Sequence, residues 1–160
     1  MRNLLKPICI AFFVLSTAFT VNAETVEDMP LTGLVDTQDT SFGQLKGQWL
    51  YVDFWASWCI PCKKSFPFMN ELQNVFKDKN VRVIAISVDD TEAAAVKFLK
   101  YNKTDFWVFH DPKGKLASEF KVPGMPSSYL INPEGEIVYK HVGFTEESGN
   151  EIINVINKSL

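Results

Sequence analysis

The chain has 160 residues, 46% hydrophobic and 22% charged, with sixteen basic side chains against nineteen acidic ones and a formal charge of −3. That length suits one domain with a sizeable core rather than two. The mildly acidic balance argues against a nucleic-acid partner, which requires a basic surface.

The opening stretch, MRNLLKPICIAFFVLSTAFTVNAETVEDMP, sets Arg2 and Lys6 ahead of an uncharged apolar run from Ile8 to Val21, closed by Val21-Asn22-Ala23. Charged, apolar and small-residue regions in that order make a secretory signal peptide of residues 1–23. The run is shorter than the ~20 residues that span a bilayer, so cleavage after Ala23 is expected, with an uncleaved membrane anchor as the alternative. Cys9 lies in the run without a lipoprotein-type triplet before it and is expected to leave with the segment. Residues 24–160 then form a single periplasmic or otherwise extracytoplasmic domain, with fourteen basic residues against nineteen acidic ones.

Along that domain, LTGLVDTQDTSFGQ (31–44) alternates apolar and turn residues and predicts a small N-terminal hairpin. QWLYVDFWA (48–56) is nearly continuously apolar, as in a central strand covered on both faces. Residues 61–77 have helical spacing, with Phe66, Met69, Leu72, Val75 and Phe76 on one side, Lys63, Lys64, Glu71 and Lys77 on the other, and a kink expected at Pro67. VRVIAISV (81–88) is a second buried strand, giving a parallel β-α-β crossover.

Asp89, Asp90 and Thr91 are placed to cap a helix over 92–101 with Ala95, Val96 and Leu99 inward. DFWVFHD (105–111) reads as a short strand and KGKLASEF (113–120) as a short helix. SSYLINPEGEIVYKHVG (127–143) reads as two strands joined at Asn132-Pro133-Glu134-Gly135. Thr145 to Leu160 closes as a helix with Ile152, Ile153, Val155 and Ile156 toward the core. The sum is an α/β fold: a mixed sheet, partly parallel with an antiparallel edge, and helices on both faces.

Within that frame, FWASWCIPCKKSFP (54–67) holds both remaining cysteines where a buried strand gives way to a helix. A structural staple is poorly served by so short a loop, which constrains the unfolded chain little. A zinc site needs further ligands, and only His110 and His141 remain, without metal-ligand spacing. A redox pair fits better: Cys59 would occupy the helix N-terminus, where unpaired N–H groups and the helix dipole stabilise a thiolate. Cys62, about a turn on, could attack a mixed disulfide formed on Cys59, and Pro61 suits the first helical turn.

The block VDFWASWCIPCKKSFP together with GMPSSYLINPEGEIVYKHVG resembles the thioredoxin superfamily, and within it the exported TlpA/ResA-like thiol-disulfide oxidoreductases. The resemblance implies a thioredoxin fold over residues 24–160, with the TlpA-like insertion between Thr91 and Phe109. It implies Cys59 as nucleophile, Cys62 as resolving cysteine with the two forming the redox disulfide, and Asp53 as the buried acid that takes a proton from Cys62. Trp58 would border the reactive cysteine and Trp55 pack behind it. Pro126 would be a cis-proline that leaves the backbone of Met125 free to pair with an extended substrate, and Gly143 would approach the same groove, with Ile60 and Pro61 completing the substrate side.

Two positions depart from the family pattern. Ser65 stands where ResA-like proteins often carry a glutamate, and Ala85 lies near the place of the lysine that thioredoxins pair with the buried acid. The resemblance implies protein disulfides as substrates, a membrane electron donor of the DsbD or CcdA kind, no cofactor or metal, and a monomer. The alternatives are a thiol oxidase of the DsbA kind and a non-catalytic peptide-binding module. A peroxidase would need a threonine where Ala56 stands.

Overall fold

The computed structural model describes residues 24–160; the expected signal segment 1–23 lies outside them. A seven-stranded mixed sheet runs in the order β2-β1-β5-β4-β3-β6-β7. Its strands are β1 (Pro30–Gly33), β2 (Thr40–Ser41), β3 (Trp49–Trp55), β4 (Val81–Ser87), β5 (Trp107–His110), β6 (Ser127–Ile131) and β7 (Ile137–Val142). β3, β4 and β5 are parallel, and the pairs β3–β6, β6–β7, β1–β5 and β1–β2 are antiparallel. The helices are α1 (Ile60–Phe76), α2 (Glu92–Tyr101), α3 (Lys115–Glu119) and α4 (Glu146–Ser159). Among the described residues no helix is long and apolar enough to cross a membrane.

The two-residue alternation of β3 divides the core. Leu50, Val52 and Phe54 join Ile84, Ile86, Phe109, Leu116 and Phe120 on the α3 face. Tyr51 and Trp55 join Phe66, Met69, Leu72, Ala95, Leu99, Ile152 and Ile156 on the face covered by α1, α2 and α4. Each such side chain contributes roughly 1.5–3 kcal/mol by leaving water. The elements therefore follow from where apolar side chains recur, and the sheet from the need to cover both faces of β3.

The structure departs from the expected pattern at several positions. Val75 is 51% exposed, because α1 turns Cys62, Ser65, Phe66, Met69, Leu72, Gln73 and Phe76 inward and Val75 lies about 200° round from Gln73. The buried Gln73 Oε1 accepts a bond of 3.0 Å from Val83 N, tying α1 to β4. Val96, also expected inward, is 38% exposed. A 3-10 turn at Lys77–Lys79, ended by Asn80 at φ 56°, follows α1. Thr91 is the N-cap of α2 without a side-chain bond to the helix, and Asp89 is committed elsewhere.

At the hairpin end of β6 and β7, Gly135 N bonds Asn132 O at 2.9 Å and Glu136 N bonds Asn132 Oδ1 at 2.8 Å. The first described residues are fastened there: Ile137 N bonds Glu24 O at 2.9 Å, Val26 N bonds Gly135 O at 2.8 Å, and the Glu24 carboxylate pairs with Lys121 and Lys140. At the start of α4, Thr145 and Ser148 form a reciprocal capping box.

Candidate active site

The chain leaves β3 at Trp55, turns through Ala56, Ser57 and Trp58, and enters α1 with Cys59 as its N-cap. Cys59 N donates to Ala56 O at 3.1 Å, closing the turn. Cys59 Sγ accepts from Cys62 N at 3.2 Å, so the sulfur takes up one of the N–H groups that a helix start leaves unpaired. The two cysteines are joined in a disulfide with Cα atoms 5.3 Å apart. Cys59 keeps 6% of its surface and Cys62 none, so only the first sulfur can be approached from outside. Ile60 and Pro61 lie exposed between them, and Trp58 is 68% exposed.

Ser65 is buried and its Oγ donates to Cys62 O at 2.9 Å. It sits beneath Cys62 as a satisfied hydroxyl, and no acidic residue occupies the first turn of α1. The cysteines therefore lie at an N-terminus whose first turn has no carboxylate to oppose a thiolate.

Asp53 is on the same face of β3 as Tyr51 and Trp55, 2% exposed, with Oδ1 lacking a hydrogen-bond partner. Its cross-strand neighbours are Ala85 on β4 and Ser128 on β6, neither of them a cation. Burial alone pushes its carboxyl well above the usual carboxylate range. Tyr51, hydrogen-bonded to Ser128, is likewise pushed well above the ordinary phenol range, chiefly by burial.

Sheet register brings the second sequence block to the cysteine end. Phe54 pairs with Ser127, and Ser127 with Val142, which sets Pro126 and Gly143 beside the end of β3. The Met125–Pro126 bond is cis, and Gly143 N bonds Pro126 O at 2.8 Å. Pro126 is buried, and Met125 packs on the cluster that contains both cysteines. Gly143 holds φ 87° with open space where a Cβ would stand, so its backbone conformation rather than close approach calls for glycine. Trp55 is core: its ring centre lies 5.0 Å from that of Phe66 and 4.8 Å from that of Phe98.

Sequence reasoning missed Asp89. Its carboxylate, 2% exposed, accepts from Ser57 N at 2.9 Å, Ser57 Oγ at 2.7 Å and Ser87 Oγ at 2.9 Å. His110 Nε2 lies 2.7 Å from Asp89 O, while His141, far along the chain, stacks on Tyr139 with ring centres 6.4 Å apart. Read linearly, Asp89 is one of three residues placed to cap α2; the parallel pairing of Trp55 with Ser87 turns it instead onto the loop two residues before Cys59.

A family model described as Redoxin matches residues 19–156. The thiol-disulfide oxidoreductase ResA of Bacillus subtilis (strain 168) is 31% identical over 159 residues, covering 96% of this chain and 89% of the relative. A ResA of Bacillus cereus is 39% identical over 99 residues, covering 62% of this chain, and the chain spans little more than half of that relative, 57% of its length. Among solved structures, a Chlorobium tepidum protein designated thiol:disulfide interchange protein DsbE superposes with a TM-score of 0.81 at 36% identity, covering 85% of this chain and 95% of the other.

Proposed function

The chain belongs to the Redoxin family of thioredoxin-fold proteins, and we propose that it is an extracytoplasmic thiol-disulfide oxidoreductase that reduces protein disulfides. The observation that carries this is the asymmetry of the pair: an approachable Cys59 sulfur on a helix N-cap, backed by a Cys62 that is wholly enclosed.

In the reduced protein the Cys59 thiolate attacks one sulfur of a partner disulfide, forming a mixed disulfide and releasing the partner's other sulfur as a thiolate. Cys62 then displaces the partner's first sulfur, and the Cys59–Cys62 disulfide remains. Two electrons have passed to the partner. Asp53, whose carboxyl burial pushes up toward the range of a proton acceptor at neutral pH, is the group that in its ionised form takes the Cys62 proton and in its protonated form returns it. Met125, cis-Pro126 and Gly143 offer a backbone edge to an extended segment of the partner, beside Trp58, Ile60 and Pro61. A membrane donor of the DsbD or CcdA kind restores the dithiol.

The test is insulin-disulfide reduction by the full chain, with partner trapping by Cys62→Ala. Activity abolished by Cys59→Ser and mixed disulfides accumulating on Cys62→Ala are expected; reduction persisting in Cys59→Ser overturns the reading. A reduction potential toward the roughly −270 mV end of the family range supports a reductant, and one near about −120 mV makes the protein an oxidant. Protein recovered from the exported fraction should begin at Glu24, the residue after the expected cleavage site.

A further inference from the structure

On the flank of the cysteines, α2 faces the active-site loop across an open groove of about 620 Å³. Ala94, Lys97, Phe98 and Tyr101 recur at helical spacing along one wall, and Trp58 and Lys63 stand on the other. Trp58 immediately precedes Cys59 and Lys63 immediately follows Cys62, so two of the lining residues are chain neighbours of the redox pair.

Its chemistry runs against the rest of the molecule. The chain carries a net charge of −3, yet the residues lining this groove include two lysines and no carboxylate. Lys63 and Lys97 are exposed and, among the described residues, enter no ion pair; the ion pairs there are those of Glu24 with Lys121 and Lys140. Lys100 adds a third cation at the rim, 5.8 Å from the Tyr101 ring centre. Asp89 lies beneath Ser57, buried, with its oxygens turned to serine hydroxyls and the Ser57 amide. Trp58 and Tyr101 are 68% and 76% exposed, an extent of aromatic surface that suits a partner rather than water.

We propose that the α2–Trp58 groove selects protein partners in which acidic residues lie close to the reacting cysteine. Lys63 and Lys97 take the partner's carboxylates while Trp58 and Tyr101 cover its neighbouring side chains. The proposal rests on the redox reading above for the chemistry, and on charge complementarity for the choice of occupant. Exposed pairs of this kind act mainly on encounter rate and fade with salt.

The experiment uses two fluorescent disulfide-bonded peptides, identical except that glutamates flank the cysteine in one and lysines in the other. Second-order reduction rates are read as a ratio, which cancels any change in the nucleophilicity of Cys59. The acidic peptide should react about three- to ten-fold faster at low salt, with the ratio falling toward one at high salt and inverting in Lys63→Glu/Lys97→Glu. Lys158→Glu, on α4, should leave the ratio unchanged.

The net negative charge alone would favour the basic peptide, so the sign of the preference is diagnostic. Equal rates, a basic preference, or a ratio indifferent to the double substitution overturns the groove. Anisotropy of the same peptides with serine in place of cysteine needs no redox chemistry. Preferential binding of the acidic peptide without reduction of either peptide would retain the groove and overturn the redox reading, and binding without preference would overturn the groove.

Discussion

On one face of β3, Leu50, Val52 and Phe54 enter an apolar cluster where the buried Tyr129 hydroxyl is satisfied by Phe120 O at 2.9 Å. On the other, Tyr51, Asp53 and Trp55 lie among the residues around the disulfide, and both Asp53 Oδ1 and Trp55 Nε1 lack a partner. The third such atom among the described residues, Arg82 Nε, belongs to a side chain lying 4.3 Å over the Trp107 ring. One strand thus places ordinary core on one side and, on the other, polar atoms whose burial costs free energy. Both faces gain stability from buried apolar side chains, and the second alone gives some of it up to unpartnered polar atoms beside the disulfide.

The largest expected effect that tests this division is Phe54→Ala, which should cost about 3–5 kcal/mol in urea unfolding while the reduction potential of the folded fraction stays put. A shift in potential as large as that of any substitution on the Asp53 face would break the division. Asp89→Asn removes charge-assisted bonds to the active-site loop and should cost about 1.5–3 kcal/mol. Because Ser57 precedes Cys59 by two residues, it should also slow reaction of Cys59, unlike a loss of core packing. A destabilised variant with unchanged Cys59 reactivity would make Asp89 a scaffold residue only.

Asp53→Ala should act in the opposite direction, adding about 1–3 kcal/mol at neutral pH by removing a buried carboxyl whose Oδ1 has no partner, while retarding release of the mixed disulfide. The sign with pH follows from the raised folded pKa. The unfolded chain sheds the Asp53 proton as pH passes about 4, whereas the folded chain retains it. Wild-type stability therefore falls, relative to the variant, from there until pH passes the folded value. Over that window the gap should widen by up to about 1.4 kcal/mol per pH unit. A gap that narrows as pH rises would show that Asp53 is ionised and supported in the fold.

Much of the frame was legible because the signals are local. The run from Gln48 to Ala56 reads as a covered strand, and Cys59 and Cys62 sit where it meets a helix. Asn132 to Gly135 announces a hairpin by turn chemistry alone. The resemblance places Ala85 near the position of the lysine that thioredoxins pair with the buried acid, and β4 sets it directly across from Asp53. What escaped was decided across the sheet. Asp89 followed an apolar strand and preceded a helix, so capping was the local expectation, and only the pairing of Trp55 with Ser87 directs it to Ser57. Val75 and Val96 are apolar at positions where polar Gln73 and small Ala95 hold the inward places.

The fastening of Glu24 at the β6–β7 hairpin has a directional meaning. β6 is five residues long, or roughly 17 Å, with the hairpin at one end and Pro126 beside the cysteines at the other. Whatever precedes Glu24 joins the domain at the pole facing away from the disulfide. Were the chain held to a bilayer from that side, the sulfurs would look outward to traffic in the surrounding space. Were it cut there, the new amino group would emerge too far away to disturb them. In both cases the cysteine face of the domain would stay open.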